Sequence, residues 1–202
     1  RLLTALGASL PPLTRTIDML MLTGGERAAT AGLVGLDAHY RIGRVVVPDA
    51  DLGTATRAAV LTLREAGSEI ETIPVNATWR WDGAEWRCAG ATPPADPTTT
   101  ITPVCALQVA DGPSSALVAG DMTSPAQDEV STVDGEGLRS QLLVGPPDGL
   151  LAAGFATAVA PRLLAIPCSR APSAHAAVTT RTTAQDGTLR YSGGPNGIGG
   201  AA

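Results

Sequence analysis

The sequence contains no lysine; all 14 of its basic residues are arginines. With the heavy use of alanine this reads as a coding bias, and no function follows from it. Aromatic residues make up only 3% of the chain, so the core must be built from Ala, Val, Leu and Ile. Histidine occurs twice, at His39 and His175, and cysteine three times, at Cys88, Cys105 and Cys168, in no metal-like spacing. An odd number of cysteines cannot pair fully within one chain. They are three small buried apolar residues, or Cys88 and Cys105, in neighbouring predicted strands, form one bridge. Long apolar runs are missing too. The longest uncharged apolar stretch, Gly149 to Pro161, has 13 residues, whereas a spanning helix needs about 17. Excess positive charge is also absent. The formal net charge is −5, which excludes a chain-wide attraction to nucleic acid.

What is present fits a folded α/β chain. The 202 residues are 44% hydrophobic, enough to bury a core in one domain or two small ones. No signal-peptide pattern opens the sequence, and its first residue is arginine, so a piece of a longer chain is expected. Leu2, Leu3, Leu6 and Leu10 recur at helical spacing until Pro11-Pro12. Ile17 to Leu22 reads as a buried strand broken by Thr23-Gly24-Gly25. Glu26 to Tyr40 reads as a helix, and Arg44 to Val47 as a buried strand closed by Pro48. Thr54 to Ala66 is a helix whose Ala55, Ala58, Ala59 and Leu63 share a face and whose stop is Gly67. Glu69 to Val75 alternates as a strand. This helix–strand alternation predicts a layered α/β architecture with parallel or mixed pairing.

The middle of the chain changes character. Trp79 to Trp86 encloses Asp82-Gly83, a strong hairpin signal. Gly90 to Pro103 is rich in Pro and Thr and reads as a surface loop. Val104 to Ala110 and Ser115 to Ala119 are strands about a turn at Asp111-Gly112-Pro113. Ser124-Pro125 reads as the N-cap and first position of a short helix ending near Val133. A strand at Gln141 to Val144, an apolar helix at Leu150 to Val159 and a strand at Arg162 to Ile166 follow. Thr179 to Thr183 and Thr188 to Ser192 are expected to form a hairpin over Asp186-Gly187. The boundaries are then one domain over residues 1–192 and a frayed, Gly-rich tail over 193–202.

Few residues suit chemistry. His39 lies near a predicted helix end, and His175 in a small-residue loop without a nearby carboxylate, so both read as solvated side chains. Thr23-Gly24-Gly25 lies between a strand and a helix, a context for anions, but lacks the phosphate-loop lysine and reads as a tight turn. Ser114, Ser115 and Ser140 have no local activating partner. Trp79 and Trp81 share a strand face and read as core packing. Asp121 follows the Ala116–Gly120 strand end, where α/β folds place site residues, or it satisfies N–H groups of the next helix.

The order of elements resembles the metallo-β-lactamase-fold domain at the C-terminus of ComEC-type DNA-uptake channel proteins. The resemblance rests on Ile17-Asp18-Met19-Leu20-Met21-Leu22-Thr23, on Gly32-Leu33 and on Gly43-Arg44-Val45-Val46-Val47. It continues through Leu63–Gly67, the Asp82-Gly83 hairpin, Pro93-Pro94, Gly120-Asp121, Leu142–Gly145, Ala160–Ile166 and Gln185–Thr188. It implies an αββα four-layer sandwich lacking its first N-terminal strands, which would leave a sheet edge exposed. It also locates the family's metal-binding turns. Gly24 stands where the first ligand histidine would be, Ala28 and Ala29 replace an Asp-His pair, and Pro146 and Pro147 replace a histidine pair. The vestigial pocket implied is Thr23, Gly24, Glu26, Asp121, Pro146 and His175, with no catalytic residue and no metal ligand set.

The resemblance therefore implies a catalytically silent hydrolase-fold domain of a polytopic DNA-uptake protein in the bacterial cell membrane. It would lie on the extracytoplasmic side, need no cofactor, and touch DNA weakly, if at all, through arginines such as Arg80 and Arg87. Two alternatives differ in class. One is an active metal-dependent hydrolase using zinc or manganese on Asp121, Glu26 and His175. The other is an unrelated soluble α/β binding module.

Overall fold

A computed structural model of the chain describes residues 2–24, 30–49, 52–90, 105–167, 178–186, 189–194 and 197–201. Contacts divide it into two compact units, Arg1–Pro74 and Val75–Ala202.

The first unit runs α1 (Leu2–Ser9), β1 (Thr16–Met21), a 3₁₀ turn (Ala31–Leu33), β2 (Arg41–Pro48), α2 (Gly53–Glu65) and β3 (Glu69–Ile73). Its three strands are parallel in the order β1-β2-β3. Gly43 is required where the β1 backbone comes closest, because a Cβ there would lie 2.9 Å from the Asp18 carbonyl oxygen. The core gathers Leu22, Leu36, Tyr40, Val45, Val47, Leu52 and Leu63. The face of α2 turned inward carries Thr56, Ala59, Val60 and Leu63, while Ala55 and Ala58 are exposed. Alanine spacing alone misplaced that stripe, because the larger Val60 and Leu63 gain more from burial. The C-terminal stop holds: Gly67 has φ +98°.

Two expectations fail here. The helix expected over 26–40 is not continuous. Residues 25–29 lie outside the described residues, and from Ala31 onward there is one 3₁₀ turn followed by irregular turns, with Gly35 at φ +78°. Gly32 and Gly35 weaken any helix there, and Leu36 and Tyr40 are buried without one. The β1 strand is not buried either. It is an outer strand, with Ile17, Met19, Leu20 and Met21 half-buried.

The second unit contains β4 (Thr78–Trp81), β5 (Ala84–Gly90), β6 (Cys105–Asp111), β7 (Ser114–Val118), α3 (Ser124–Asp134), a 3₁₀ turn (Gly135–Leu138), β8 (Leu142–Val144), α4 (Ala153–Val159), β9 (Leu163–Ile166) and β10 (Thr179–Thr182). It ends with α5 (Thr183–Asp186), β11 (Arg190–Ser192) and β12 (Gly199–Ala201). Seven strands form one sheet in the order β10-β9-β8-β7-β6-β5-β4. The strands β4 to β7 are an antiparallel meander, and β7 to β10 are parallel. Asp82 and Gly83 both have positive φ, as the two-residue hairpin loop requires. Alternation puts Ala89, Ala106, Leu117, Leu143, Leu164 and Ile166 on one face. That face packs on Met122, Ala126, Val130, Leu138, Phe155 and Val159 from the helical side. Small alanines on both sides let the sheet and helices approach, and Phe155, the one phenylalanine, is fully buried between them. The N-cap of α3 is Thr123, one residue before the expected Ser124, with proline in the first turn.

The C-terminal region departs from the sequence reading. No hairpin joins β10 to β11: β10 pairs parallel with β9, and β11 pairs antiparallel with β12. The tail is docked over its described residues. The Gly194 N–H donates to Ser114 Oγ at 3.2 Å, and the Ile198 N–H donates to Gln141 Oε1 at 2.8 Å. Gly197 packs so closely on Gln141 that a Cβ would come within 2.5 Å of Oε1. The Asp186 carboxylate, expected in a turn, instead accepts from the Thr182 N–H (2.9 Å) and from Arg181 Nη1 (3.0 Å). The backbone bond first, and Arg181 second, hold Asp186 below the usual carboxylate range. A carboxylate depressed in the folded state contributes stability above its unfolded value and loses it as the pH falls through the folded one. Acid denaturation followed by fluorescence should therefore be shallower below about pH 4 in Asp186→Asn than in the parent chain. Identical acid profiles would show that the contact contributes nothing.

An ion pair fixes the helical layer to the sheet. Arg87 on β5 donates to Asp134 at the end of α3, and its second nitrogen donates to the Gly137 carbonyl at 3.4 Å. The side chains are 22% and 9% exposed. Asp134→Ala strands the guanidinium. Because Arg87 keeps some contact with water, the cost is expected to be about 1–2 kcal/mol, below the range for fully buried pairs. A urea midpoint unchanged from the parent would refute this.

Candidate functional site

The candidate residues fall at the C-terminal ends of parallel strands, and each unit holds its own share. In the first unit, β1 leads into Leu22, whose N–H donates to the Val46 carbonyl at 3.0 Å. Half-buried Thr23 and buried Gly24 follow. That strand end supplies one hydroxyl and one side chain without donors. Glu26, Ala28 and Ala29 lie outside the described residues.

In the second unit, β7 and β8 end side by side. The Ala119 N–H donates to the Val144 carbonyl (2.9 Å) and the Gly145 N–H to the Ala165 carbonyl (2.8 Å), extending the parallel pairing past the strands. The chain turns at Gly120, φ +62°, and presents Asp121, whose Oδ2 is shielded from solvent. After β8 comes buried Pro146, with Pro147 exposed. A tight turn closes this loop through the Gly149 N–H on the Pro146 carbonyl (3.0 Å) and the Leu150 N–H on Asp148 Oδ1 (2.9 Å). Asp121 and Pro146 thus sit on adjacent strand ends of one sheet. His175 lies outside the described residues.

The sequence reading does not single out the residue that holds these two loops. Gln127, on α3, is fully buried. Its Nε2 donates to the Met122 carbonyl (3.0 Å) and the Leu150 carbonyl (2.9 Å), and its Oε1 accepts from the Ala152 N–H (2.8 Å). The amide therefore ties the turn after Asp121 to the loop after Pro146. The available signal was a polar residue beside Ala126 and Val130 in the apolar stripe of the helix.

A dinuclear metal centre, which a metallo-β-lactamase-type site implies, needs several nitrogen and oxygen donors converging on it. The described residues at these strand ends do not fit one. Of the candidates in the first unit, Gly24 has no donor and Thr23 has a hydroxyl; of those in the second, Pro146 has no donor and Asp121 has a carboxylate. Among the described residues no group of three His, Cys, Asp or Glu side chains converges as a metal site would require.

The remaining candidates take other roles. His39 is not near a helix end but in an exposed turn beside a cavity in the first unit. The tryptophans do not pack in the core. Trp79 and Trp86 are partners across β4 and β5 with ring centroids 6.4 Å apart, Trp81 meets Trp86 edge-on at 5.9 Å, and all three are half-buried. The reason is topological: β4 is the outer strand of the sheet, so its aromatic rings pack chiefly on one another. Arg87 is engaged by Asp134, whereas Arg80 is 79% exposed and 3.9 Å from Glu85. Ser114 serves the tail, and Ser115 Oγ accepts from the Gln141 N–H at 3.1 Å. Cys88 and Cys105 form a disulfide between β5 and β6. Cys168 lies outside the described residues. No helix among the described residues is long and apolar enough to cross a membrane.

No protein-family model matches the sequence, and no curated protein matches it. Similarity appears in three dimensions. CmlA, a diiron β-hydroxylase from Streptomyces venezuelae, aligns with TM-score 0.54 at 14% identity over 79% of this chain. A CmlA variant gives 0.55 at 16% identity. The chain spans only 36% of CmlA. The metallo-β-lactamase fold protein YhfI from Bacillus subtilis aligns with TM-score 0.53 at 10% identity over 89% of this chain and 80% of YhfI. Parallel strands with helical crossovers, a mixed seven-stranded sheet backed by helices, and these alignments together establish that the chain has a metallo-β-lactamase fold.

Proposed function

We propose that this chain is a catalytically silent, hydrolase-like domain that has kept the fold and lost the metal. The observation that carries the reading is the chemistry at the strand ends: Gly24 after β1 and Pro146-Pro147 after β8, where the sequence resemblance puts the family's ligand histidines, have side chains without a donor. Its role is then structural or one of partner contact. Following the sequence resemblance, we place it in a membrane-borne DNA-uptake protein, on the extracytoplasmic side. The Cys88–Cys105 bridge supports that side, because disulfides persist in oxidising compartments. DNA contact falls to exposed Arg80 rather than Arg87, and with a net charge of −5 it is weak.

The test is metal content. Purified protein exposed to zinc or manganese and then dialysed is expected to retain far less than one ion per chain and to leave single- and double-stranded DNA intact. Stoichiometric metal with metal-dependent cleavage would overturn the reading in favour of an active hydrolase using Asp121, Glu26 and His175. That second reading draws on CmlA, named as a diiron enzyme of similar fold. The membrane assignment has its own test: the natural reading frame is expected to encode a polytopic membrane region, and a frame without one would remove that assignment.

A further inference from the structure

The first unit contains a cavity of about 630 Å³ that the strand-end chemistry does not use. It opens at the opposite end of the parallel sheet, where β1 and β2 begin. Its charged and polar lining includes Arg15, Asp37, His39, Arg41 and Ser68, and its apolar lining includes Leu3 and Leu63. The two arginines are neighbours by construction, since the Arg41 N–H donates to the Arg15 carbonyl at 2.7 Å as β2 starts beside β1. Arg15 Nη1 is turned onto the Thr14 carbonyl at 3.1 Å. No side-chain hydrogen bond or ion pair engages Arg41, His39 or Asp37 among the described residues.

We propose that this cavity binds a small organic carboxylate with an apolar body, its head on Arg15 and Arg41 and its body against Leu3 and Leu63. The volume lies in the range of small-molecule sites, which pair apolar walls with a few convergent polar groups. A guanidinium matches the two oxygens of a carboxylate. Charge decides between head groups. Two guanidiniums against the Asp37 carboxylate leave a single net positive charge, which a carboxylate cancels and a phosphate dianion exceeds. The C-terminal end of α2, which brings Leu63 and the capping residue Ala66 to the cavity, adds the negative end of a helix dipole, which opposes any anion and a dianion more than a carboxylate. The inference is independent of the proposed function, because no strand-end residue takes part.

The experiment is a titration of the whole chain with hexanoate, hexyl phosphate and hexylamine, followed by calorimetry and by the amide resonances of residues 37–42. Saturable hexanoate binding that shifts those amides is expected, with hexyl phosphate weaker and hexylamine silent. Arg41→Gln and Arg15→Gln should each weaken hexanoate about tenfold or more. Asp37→Asn should tighten it, a gain that misfolding cannot produce. Absence of saturable hexanoate binding, tighter binding of the phosphate, or affinity unchanged in both arginine variants would overturn the proposal.

Discussion

Replacing Gln127 by methionine is expected to destabilise the Val75–Ala202 unit by about 3 kcal/mol, the sum of two stranded backbone groups at about 1–3 kcal/mol each. The side chain fits, since methionine is nearly isosteric, so the loss comes from what it leaves behind. The Met122 carbonyl and the Ala152 N–H lose their partners beside a fully buried position. The Leu150 carbonyl loses one too, but Leu150 is 61% exposed and water can replace that bond. For a chain of this length the midpoint of thermal unfolding should fall by about 10 °C. Amide exchange distinguishes this from a generic core defect: the N–H of Ala152, the N-cap of α4, should lose protection ahead of that of Val159 at the far end of the helix. A variant melting within a degree or two of the parent would show that the loops do not depend on this amide. Thr132→Ala, which removes an exposed hydroxyl bonded to the Asp128 carbonyl on the same helix, is expected to change stability by less than about 0.5 kcal/mol.

What the sequence reveals of this fold depends on how local the determining interactions are. The Asp82-Gly83 turn and the stop at Gly67 are read correctly because positive φ at those residues is a property of the residues themselves. The strands β2, β6, β7, β8 and β9 are read within two or three residues, because β-branched and leucine runs between turn signals have few other uses. The failures need partners distant in sequence. Residues 30–40 have helical spacing, yet Leu36 and Tyr40 bury themselves from an irregular segment. The β10 strand looks like half of a hairpin, yet it finds β9, and β11 finds β12. The outermost positions of β1 and β4 are not marked in the sequence at all, so Ile17 and Trp79 look like core and are only half-buried.

The candidate site divides in the same way. That Gly24 and Pro146 lack donors is legible from residue identity alone, and the structure adds that Pro146 and Asp121 end adjacent strands. That Gln127 holds both loops was not legible, because its three partners lie 5, 23 and 25 residues away. The arginine-lined cavity was equally hidden, since α1, the start of β2 and the end of α2 meet there only after folding. His39 stands out in the sequence as one of two histidines, but nothing in the sequence marks the residues it meets at the cavity.

Removing the disulfide by the double substitution Cys88→Ala and Cys105→Ala is expected to lower stability by about 3 kcal/mol, the loop-closure value for a ring of this order. The bridge spans 17 positions and ties the end of β5 to the first residue of β6. In the sheet register Cys88 lies opposite Leu107 and Cys105 opposite Gly90, so the two cysteines are offset neighbours across the ladder. Both are fully buried, which makes alanine the better probe: a serine hydroxyl there would add its own desolvation cost. The loss should appear mainly through the unfolded state, which gains the freedom of the segment between the strands. Adding a thiol reductant during urea unfolding should bring the parent chain down to the double variant and leave the variant where it was. Thiol titration of unreduced, unfolded protein should find one reactive cysteine, because the sequence has three and the bridge uses two. Three reactive thiols, with no effect of reductant, would remove both the stabilisation and the support that this bridge gives to an oxidising location. A single thiol would leave that location resting on chemistry independent of the family resemblance.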